Sequence, residues 1–244
     1  MKEKSSKVTA FRGFGAENVA PLFDQLPVCP HQVISLTALE HPAESVALFA
    51  FDTGEGISTD IQHHDILYIA WKGRVQLHVN KQPLTLAAGE CVLVPAHCAH
   101  AMEALSPLSL LQISAGEWPS AKPKEGQNME AKQYIKNIDK ATVHVLADLL
   151  SYQADKVASL TLVQRDLFTV TVMAMDKGTG VGPHVCEGDA MVLALDGVGD
   201  VMIGETHHVV KAGECIVMPA DIAHAVRGEE GPFKMMLIVS KPEV

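Results

Sequence analysis

The chain has 244 residues, of which 48% are hydrophobic and 20% are charged, and its formal net charge is −10. This composition is ordinary for a globular protein and excludes a disordered or fibrous chain. No run of Lys or Arg is longer than two residues. Nucleic acid and anionic membrane surfaces need clustered cations, so neither is expected among the partners.

No apolar core of a signal peptide follows the N-terminal residues, and no stretch is long and apolar enough to cross a bilayer. The five cysteines lie at positions 29, 91, 98, 186 and 215. Their number is odd and no export signal accompanies them, so we expect reduced thiols. These features together predict a cytoplasmic protein.

Along the chain, the dominant feature is an internal duplication. A shift of 124 residues aligns 33–102 with 157–226 without a gap, and 21 of the 70 pairs are identical. Unrelated segments of average composition match at roughly 6%. AGEC at 88–91, for example, recurs at 212–215. The chain is therefore predicted to contain two copies of one unit.

A compositional break separates the two copies. Residues 115–130 are rich in Pro, Gly, Lys and Glu and have no apolar period, which is typical of a linker. The predicted organisation is therefore an N-terminal domain at 1–114, a linker at 115–130 and a C-terminal domain at 131–244.

Within each copy the pattern favours strands. Short apolar runs bounded by Gly, Pro or charge are typical of strands covered on both faces. Four runs have this character: ILYIAW at 66–71, CVLV at 91–94, AMVLAL at 190–195 and CIVM at 215–218. Helical candidates are limited to 145–152 and, at the matching place in the first copy, 18–26. We predict an all-β chain with a sandwich or small barrel in each unit and a short helix at its start.

Both copies repeat one spaced motif. A glycine is followed by a proline six residues on and a histidine five residues after that: Gly89, Pro95 and His100 in the first copy, Gly213, Pro219 and His224 in the second. Together with Gly180, His184 and Gly197 of the second copy, this spacing resembles the two motifs of the cupin superfamily. His97 and Asp221 stand where that pattern usually has glycine. The resemblance implies a bicupin, two tandem jelly-roll barrels.

The metal-ligand positions depart from the family pattern. In a metal-binding cupin, two histidines, a glutamate and a final histidine converge inside the barrel. These positions hold His184, Cys186, Ala190 and His224 in the second copy, and Asp60, Gln62, Ile66 and His100 in the first. Neither Ala190 nor Ile66 can bind a cation, so the resemblance implies an incomplete ligand set in both barrels.

The second copy carries the metal hypothesis. His184, Cys186 and His224 form a candidate set for one divalent Fe, Mn, Ni or Zn ion, with Glu187 nearby in the loop. In the alternative interpretation, both histidines are hydrogen-bonded pocket residues and Cys186 is a small core thiol. Both stay open at this point. Any metal or polar ligand is expected here, in contact with His184 and His224.

The first copy is expected to be a modified ligand pocket. Asp60, Gln62 and His100 occupy the inward positions, and His63 and His97 are expected at the rim. A polar, histidine-lined pocket is favoured over a metal centre, because adjacent strand residues such as His63 and His64 cannot face the same way.

Three functions remain open, and the sequence leaves undecided whether the chain is an enzyme. The leading hypothesis is a small-molecule-binding bicupin with a divalent metal in the C-terminal barrel. The alternatives are a metal-dependent dioxygenase or isomerase of the cupin type, and a metal-free sensor or storage module. The expected partner is a small molecule. A homodimer is open too, unless the two copies fill that interface within one chain.

Overall fold

The computed structural model describes residues 9–117 and 133–242. Nearly all of its regular structure is strand, which confirms the all-β prediction. In chain order the strands are β1 (Ala20–Pro21), β2 (Val33–Glu40), β3 (Glu44–Phe51), β4 (Gly56–Ile61), β5 (His64–Lys72), β6 (Arg74–Val79), β7 (Gln82–Ala87), β8 (Glu90–Val94), β9 (Ala99–Ala104), β10 (Leu108–Gly116), β11 (Val143–Val145), β12 (Val157–Gln164), β13 (Phe168–Met175), β14 (Gly180–His184), β15 (Asp189–Ile203), β16 (Thr206–Lys211), β17 (Glu214–Met218), β18 (His224–Arg227) and β19 (Phe233–Ser240).

The first barrel lies in the compact unit Leu26–Leu146. Its two sheets have the strand orders β11-β8-β5-β10-β3-β2 and β4-β9-β6-β7. Strand β6 alternates as its sequence predicts: Val75 and Leu77 are buried while Arg74 and His78 are exposed. These inward residues join Tyr68 and other inward residues of β5 in one buried cluster, so the core lies between the two sheets.

The second barrel lies in the unit that contains Ala147–Val244. Its main sheet has the order β1-β17-β15-β19-β13-β12, and β14, β16 and β18 complete the remaining face. The 15-residue β15 pairs with both groups of strands, where the first barrel uses the separate strands β5 and β6. Met175, Met218 and Met235 fill part of its core.

The glycine that closes the first motif is required at the same place in each barrel. Gly73 and Gly197 have φ of +82° and +75°, a conformation that L side chains rarely adopt. A Cβ at either position would collide with a backbone carbonyl oxygen, that of Pro107 or Pro232. Backbone geometry and close approach therefore both select glycine.

Each barrel is preceded in sequence by an N-terminal arm: the described part of residues 1–25 before the first barrel, and residues 133–146 before the second. The described part of Met1–Gln25 belongs to the unit of the second barrel, where β1 pairs with β17. The stretch from residue 133 to Leu146 belongs to the unit of the first barrel, where β11 pairs with β8. Each arm thus packs on the barrel that does not follow it in sequence. These compact units divide the described residues at other places than the predicted bounds at 114 and 131, which stay a prediction.

One aspartate holds each arm to its barrel: Asp65, which is buried, and Asp189, which is partly buried. Asp65, 2% exposed, accepts the N–H of Ala96 at 3.0 Å, of Tyr134 at 2.6 Å and of Ile135 at 3.1 Å. The equivalent Asp189 accepts the N–H of Ala220 at 2.8 Å and of Ala10 at 2.6 Å. Both carboxylates therefore satisfy backbone donors, as is typical of Asp at the start of a strand.

Of the two predicted helices, the one at 18–26 is wrong, whereas a short helix is present at 145–152. Residues 18–26 contain the short strand β1 and turns, because this segment pairs with β17. In 145–152 a short 3-10 helix spans Leu146–Leu149.

Residues 115 and 116 of the predicted linker complete β10, and 118–130 lie outside the described residues. Not one helix in 9–117 or 133–242 has the length and apolar character to cross a membrane.

Candidate ligand-binding site

A buried hydrogen bond forms the floor of the first barrel. Tyr68 on β5 and His100 on β9 are each 4% exposed, and Tyr68 Oη lies 3.0 Å from His100 Nε2. His100 Nδ1 lies 3.1 Å from the carbonyl oxygen of Cys98. A carbonyl can only accept, so Nδ1 carries the proton of the neutral imidazole and Nε2 is bare. The Tyr68 hydroxyl therefore donates to His100.

Asp60 and Gln62 lie above this floor. Asp60 is paired with His100 in the register of β4 and β9, and its Oδ1 accepts the N–H of Ile61 at 2.8 Å. Its Oδ2 accepts a short hydrogen bond from Gln62 Nε2. Burial, with a smaller contribution from the negative charge of Asp60, raises the pKa of Tyr68 well above its ordinary value. The floor hydroxyl is therefore protonated at neutral pH.

These side chains border a cavity of about 370 Å³. It has mixed polar and apolar walls, lined by Glu40, His41, Pro42, Ala43, Glu44, Ser45, Phe49, Ile57, Asp60, Gln62, His64, Ile66, Tyr68, His100, Gln112 and Ser114. Burial and the nearby charge of His63 lower the pKa of His64, although Glu44 opposes the shift. The net shift favours the neutral form of the His64 imidazole.

Strand pairing brings four of the lining residues together. In the ladder between β5 and β10, Tyr68 lies opposite Gln112, and Ile66 lies opposite Ser114. Residues two apart on a strand share a face, so all four project to the same side of the sheet. Gln112 Nε2 donates to Ser114 Oγ at 3.0 Å.

The other predicted pocket residues of the first copy lie outside this cavity. His63 and His97 are exposed, and their ring centroids are 5.1 Å apart in an edge-on arrangement. His97 has φ of +64°, and Asp221 at the same place in the second copy has +60°. This left-handed conformation explains why the family pattern usually has glycine there.

In the second barrel the two motif histidines meet. His184 and His224 are register partners in β14 and β18, with ring centroids 4.5 Å apart. Their Nδ1 atoms lie 2.9 Å from the carbonyl oxygens of Gly182 and Ile222. Burial, with a contribution from the charge of His184, lowers the pKa of His224, although its hydrogen bond to Ile222 opposes the shift.

The remaining members of the predicted metal set do not join this pair. Among the described residues, no three His, Cys, Asp or Glu side chains are grouped so as to hold a metal ion. The carbonyl of Cys186 accepts the N–H of Asp221 at 2.9 Å. Glu187 is exposed, with its Oε2 3.6 Å from Lys241 Nζ. Within the described residues, His184, Cys186 and His224 do not form a grouped metal set, and the expectation of a metal here stays a prediction.

The donor set of the first barrel does not fit a metal either. His100 Nε2, the nitrogen that would bind the ion, accepts the Tyr68 hydroxyl instead. Ile66 stands at the family's glutamate position. Structural and catalytic metal centres use three or four protein ligands, and no such set is grouped among the residues that the structure describes.

A larger groove of about 560 Å³ lies in the second unit. Alternate residues of β15 and β18 line it, and the residues between them, Val201 and Val226, belong to the core. Met202 and Ala225 are among the residues that line it. His207 Nδ1 lies 2.8 Å from Asp200 Oδ2 at its edge. By the alternation of strand residues, Met202 and Ala225 face the outer side of the sheet, and neither His184 nor His224 lines this groove.

Sequence reasoning missed several residues of the first cavity. Tyr68 lies inside an apolar run, and Glu44 opens one. Gln112 and Ser114 are the informative case, because two polar residues at alternate positions in the apolar strand LSLLQISAG indicate a polar patch on one face. That signal was present in the sequence.

Comparisons with known proteins agree with this architecture. The family profile described as "Cupin domain" matches residues 47–114 and 171–239. No curated protein matches the chain. A solved structure described as a "Cupin 2 conserved barrel domain protein" from Leptotrichia buccalis is 26% identical with a TM-score of 0.77, and the match covers 93% of this chain and 97% of that one.

More distant solved structures share the fold. A variant of salicylate 1,2-dioxygenase from Pseudoaminobacter salicylatoxidans, in complex with gentisate, is 13% identical with a TM-score of 0.59 over 88% of this chain and 76% of that one. AerE from Microcystis aeruginosa is 14% identical with a TM-score of 0.51 over 88% and 98%. At these identities the likeness concerns the fold alone.

Proposed function

The chain belongs to the cupin family, and from that premise we propose that it binds a small organic molecule inside its first barrel without a metal ion. The observation that carries the proposal is the cavity of about 370 Å³ above the Tyr68–His100 hydrogen bond. Small-molecule sites are typically concave, of roughly 300–1,000 Å³, with apolar walls and a few placed polar groups.

The lining supports binding rather than a purely structural role. Phe49, Ile57 and Ile66 supply apolar surface, while Asp60 and Gln62 supply polar groups on the opposite sheet from Tyr68. Asp60 is exposed and Gln62 is partly buried, so both side chains are accessible to a ligand that enters from solvent. A ligand with complementary polar groups could form hydrogen bonds with these side chains at the entrance of the cavity.

The dioxygenase alternative lacks such support in this chain. Salicylate 1,2-dioxygenase shares the fold, but its chemistry does not transfer at 13% identity. Among the described residues, the potential ligands of both barrels do not fit a metal centre. The binding expectation for His184 and His224 stays a prediction, since two imidazoles alone would hold a divalent ion weakly.

Two adjacent residues give a matched test of the cavity. Gln62→Trp would fill the mouth, whereas His63→Trp adds the same bulk to an exposed position that does not line it. A fragment library would be screened against the full chain by ligand-observed NMR. We expect that the fragments that bind the unmodified chain no longer give a binding signal with Gln62→Trp and still give it with His63→Trp. Fragments insensitive to Gln62→Trp would contradict the proposal.

Calorimetry with Zn²⁺, Mn²⁺, Ni²⁺ and anaerobic Fe²⁺ tests the metal alternative. We expect no tight binding to the full chain. Tight binding that is lost in His184→Ala and retained in the equivalent Asp60→Ala would reinstate a metal function in the second barrel. Tight binding lost in Asp60→Ala would overturn the metal-free interpretation of the first.

A further inference from the structure

We propose that the cavity of the first barrel selects a small organic cation, an ammonium compound with N–H donors and a short apolar body. This inference rests on the proposed function and names its ligand class. It follows from the charges in the lining, from the direction of the hydrogen bonds and from the contrast between the two copies.

The charge of the lining favours a cation. Three carboxylates border the cavity, those of Glu40, Glu44 and Asp60, together with the imidazoles of His41, His64 and His100. Glu40, His41 and Glu44 have interactions of their own, and neither Lys nor Arg occurs among the described residues that line the cavity. Burial lowers the pKa of His64, which favours the neutral form of this imidazole. An anionic ligand would meet carboxylates in a partly enclosed space, where charges are screened less than in bulk water.

The hydrogen bonds leave acceptors facing the cavity. The Tyr68 hydroxyl donates to His100 Nε2, which leaves the lone pairs of Tyr68 Oη. The amide nitrogen of Gln62 donates to the Asp60 carboxylate, which can only accept, so Gln62 Oε1 is left as an acceptor. A ligand that complements these acceptor atoms must therefore carry hydrogen-bond donors. A protonated primary amine brings three N–H donors and the matching charge.

The apolar wall suits the rest of such a ligand. Phe49, Ile57 and Ile66 line the same cavity, and Phe49 and Ile57 pack against the buried cluster that includes Tyr68. An aromatic ring also attracts a cation that lies over its face. The combination of carboxylates and an aromatic wall therefore fits a compound with an ammonium head and a hydrocarbon body.

The second copy shows that the fold does not require this chemistry. At the places of Glu40, Glu44 and Asp60 it has Gln164, Phe168 and His184. Strand registers place Val192 where the first copy has Tyr68, and Leu237 where it has Gln112. The acidic, acceptor-rich lining is therefore specific to the first barrel, and the second barrel provides a built-in control.

Three probes that differ only in their head group test the proposal. Benzylamine, benzyl alcohol and benzoate would be titrated into the full chain at pH 7 and low salt. We expect benzylamine to bind about tenfold or more tighter than benzyl alcohol, because a charge-assisted hydrogen bond to a carboxylate is the stronger kind. Benzoate should show no measurable binding. Equal or tighter binding of benzoate would overturn the cation proposal.

Matched variants locate the effect. Asp60→Asn should weaken benzylamine about tenfold and leave benzyl alcohol within about twofold. The equivalent change in the other barrel, His184→Asn, should alter neither. Loss of benzylamine in His184→Asn and not in Asp60→Asn would overturn the proposal.

The outcomes separate this proposal from the proposed function. If benzyl alcohol and benzylamine bind equally and both are displaced in Gln62→Trp, the cavity binds small molecules but does not select cations. If benzylamine binds and is insensitive to Gln62→Trp, the site lies elsewhere and both proposals fail. If none of the three probes binds, the cation proposal fails, and the fragment screen alone decides whether the cavity binds other molecules.

Discussion

Tyr68 Oη lies 3.0 Å from His100 Nε2, so the histidine of the second motif faces a hydroxyl in the first barrel. The equivalent histidine of the second barrel, His224, faces the imidazole of His184 instead. The same backbone position therefore serves two chemical environments. The difference comes from two substitutions between the copies, Tyr68 for Val192 and Asp60 for His184.

Tyr68→Phe is expected to lower the free energy of unfolding by about 1–3 kcal/mol, because it leaves the buried His100 Nε2 without its donor. Urea denaturation followed by circular dichroism measures the change. Tyr152→Phe is the control, since its hydroxyl bonds Asp196 at the surface and its loss should cost less. An effect of Tyr68→Phe no larger than that of the control would contradict the assignment.

Stability is expected to fall as the pH rises above about 10. Burial raises the pKa of Tyr68 and of Tyr152 in the folded chain, whereas the unfolded chain releases these protons near pH 10. The unfolded state then binds fewer protons than the native state, so alkali favours unfolding. Tyr68→Phe should make the pH dependence shallower. Absorbance at 295 nm should show ordinary ionisation for Tyr68 only after unfolding.

Two of the five cysteines are expected to resist alkylation in the native protein. Burial, with a smaller contribution from the neighbouring glutamates, raises the pKa of Cys91 and Cys215 to about 12. The thiolate is the reactive form, so both should be inert at pH 8. The partly buried Cys29, Cys98 and Cys186 should react with iodoacetamide.

Peptide mass spectrometry would locate the modified thiols, and the denatured chain, in which all five should react, is the control. Rapid native modification of Cys91 or Cys215 would show that the strands β8 and β17 open readily.

The imidazole of His224 is expected to titrate below its ordinary pKa of about 6.5. Burial is the main cause, and the charge of His184 adds to it, so His184→Gln should shift the titration upward. The folded pKa is lowered, so the contribution to stability is present above about pH 6.5 and is lost as the pH falls. Carbon-detected NMR of the imidazole resonances measures both variants. An unchanged titration in His184→Gln would contradict the coupling.

Asp65→Asn is expected to lower the free energy of unfolding by about 3 kcal/mol or more, because an amide cannot accept all three backbone donors. Hydrogen exchange should show lost protection at Tyr134 and Ile135. Asp139→Asn in the same arm is the control, since this side chain is 84% exposed. Equal loss of protection in both variants would refute the role of Asp65 as the anchor.

The sequence alone determined the duplication, the all-β class and the strand positions. These follow from local rules: AGEC repeats with its flanking turns, β6 alternates with period two, and apolar runs such as ILYIAW need cover on both faces. It also placed Asp60 and His100 together, because the spacing of the motif fixes which residues become register partners.

The tertiary structure decided which arm joins which barrel and where the cavity opens. Asp65 and Asp189 each accept backbone N–H groups of an arm, and any segment of backbone can supply such donors. No local sequence pattern therefore fixes which arm packs on which barrel. The cavity arises where Tyr68 and Gln112, separated by 44 residues, meet across β5 and β10 and face Asp60 on the other sheet. The direction of the hydrogen bonds and the burial of the side chains in this cavity set the chemistry of the site. Both depend on residues that are distant in sequence.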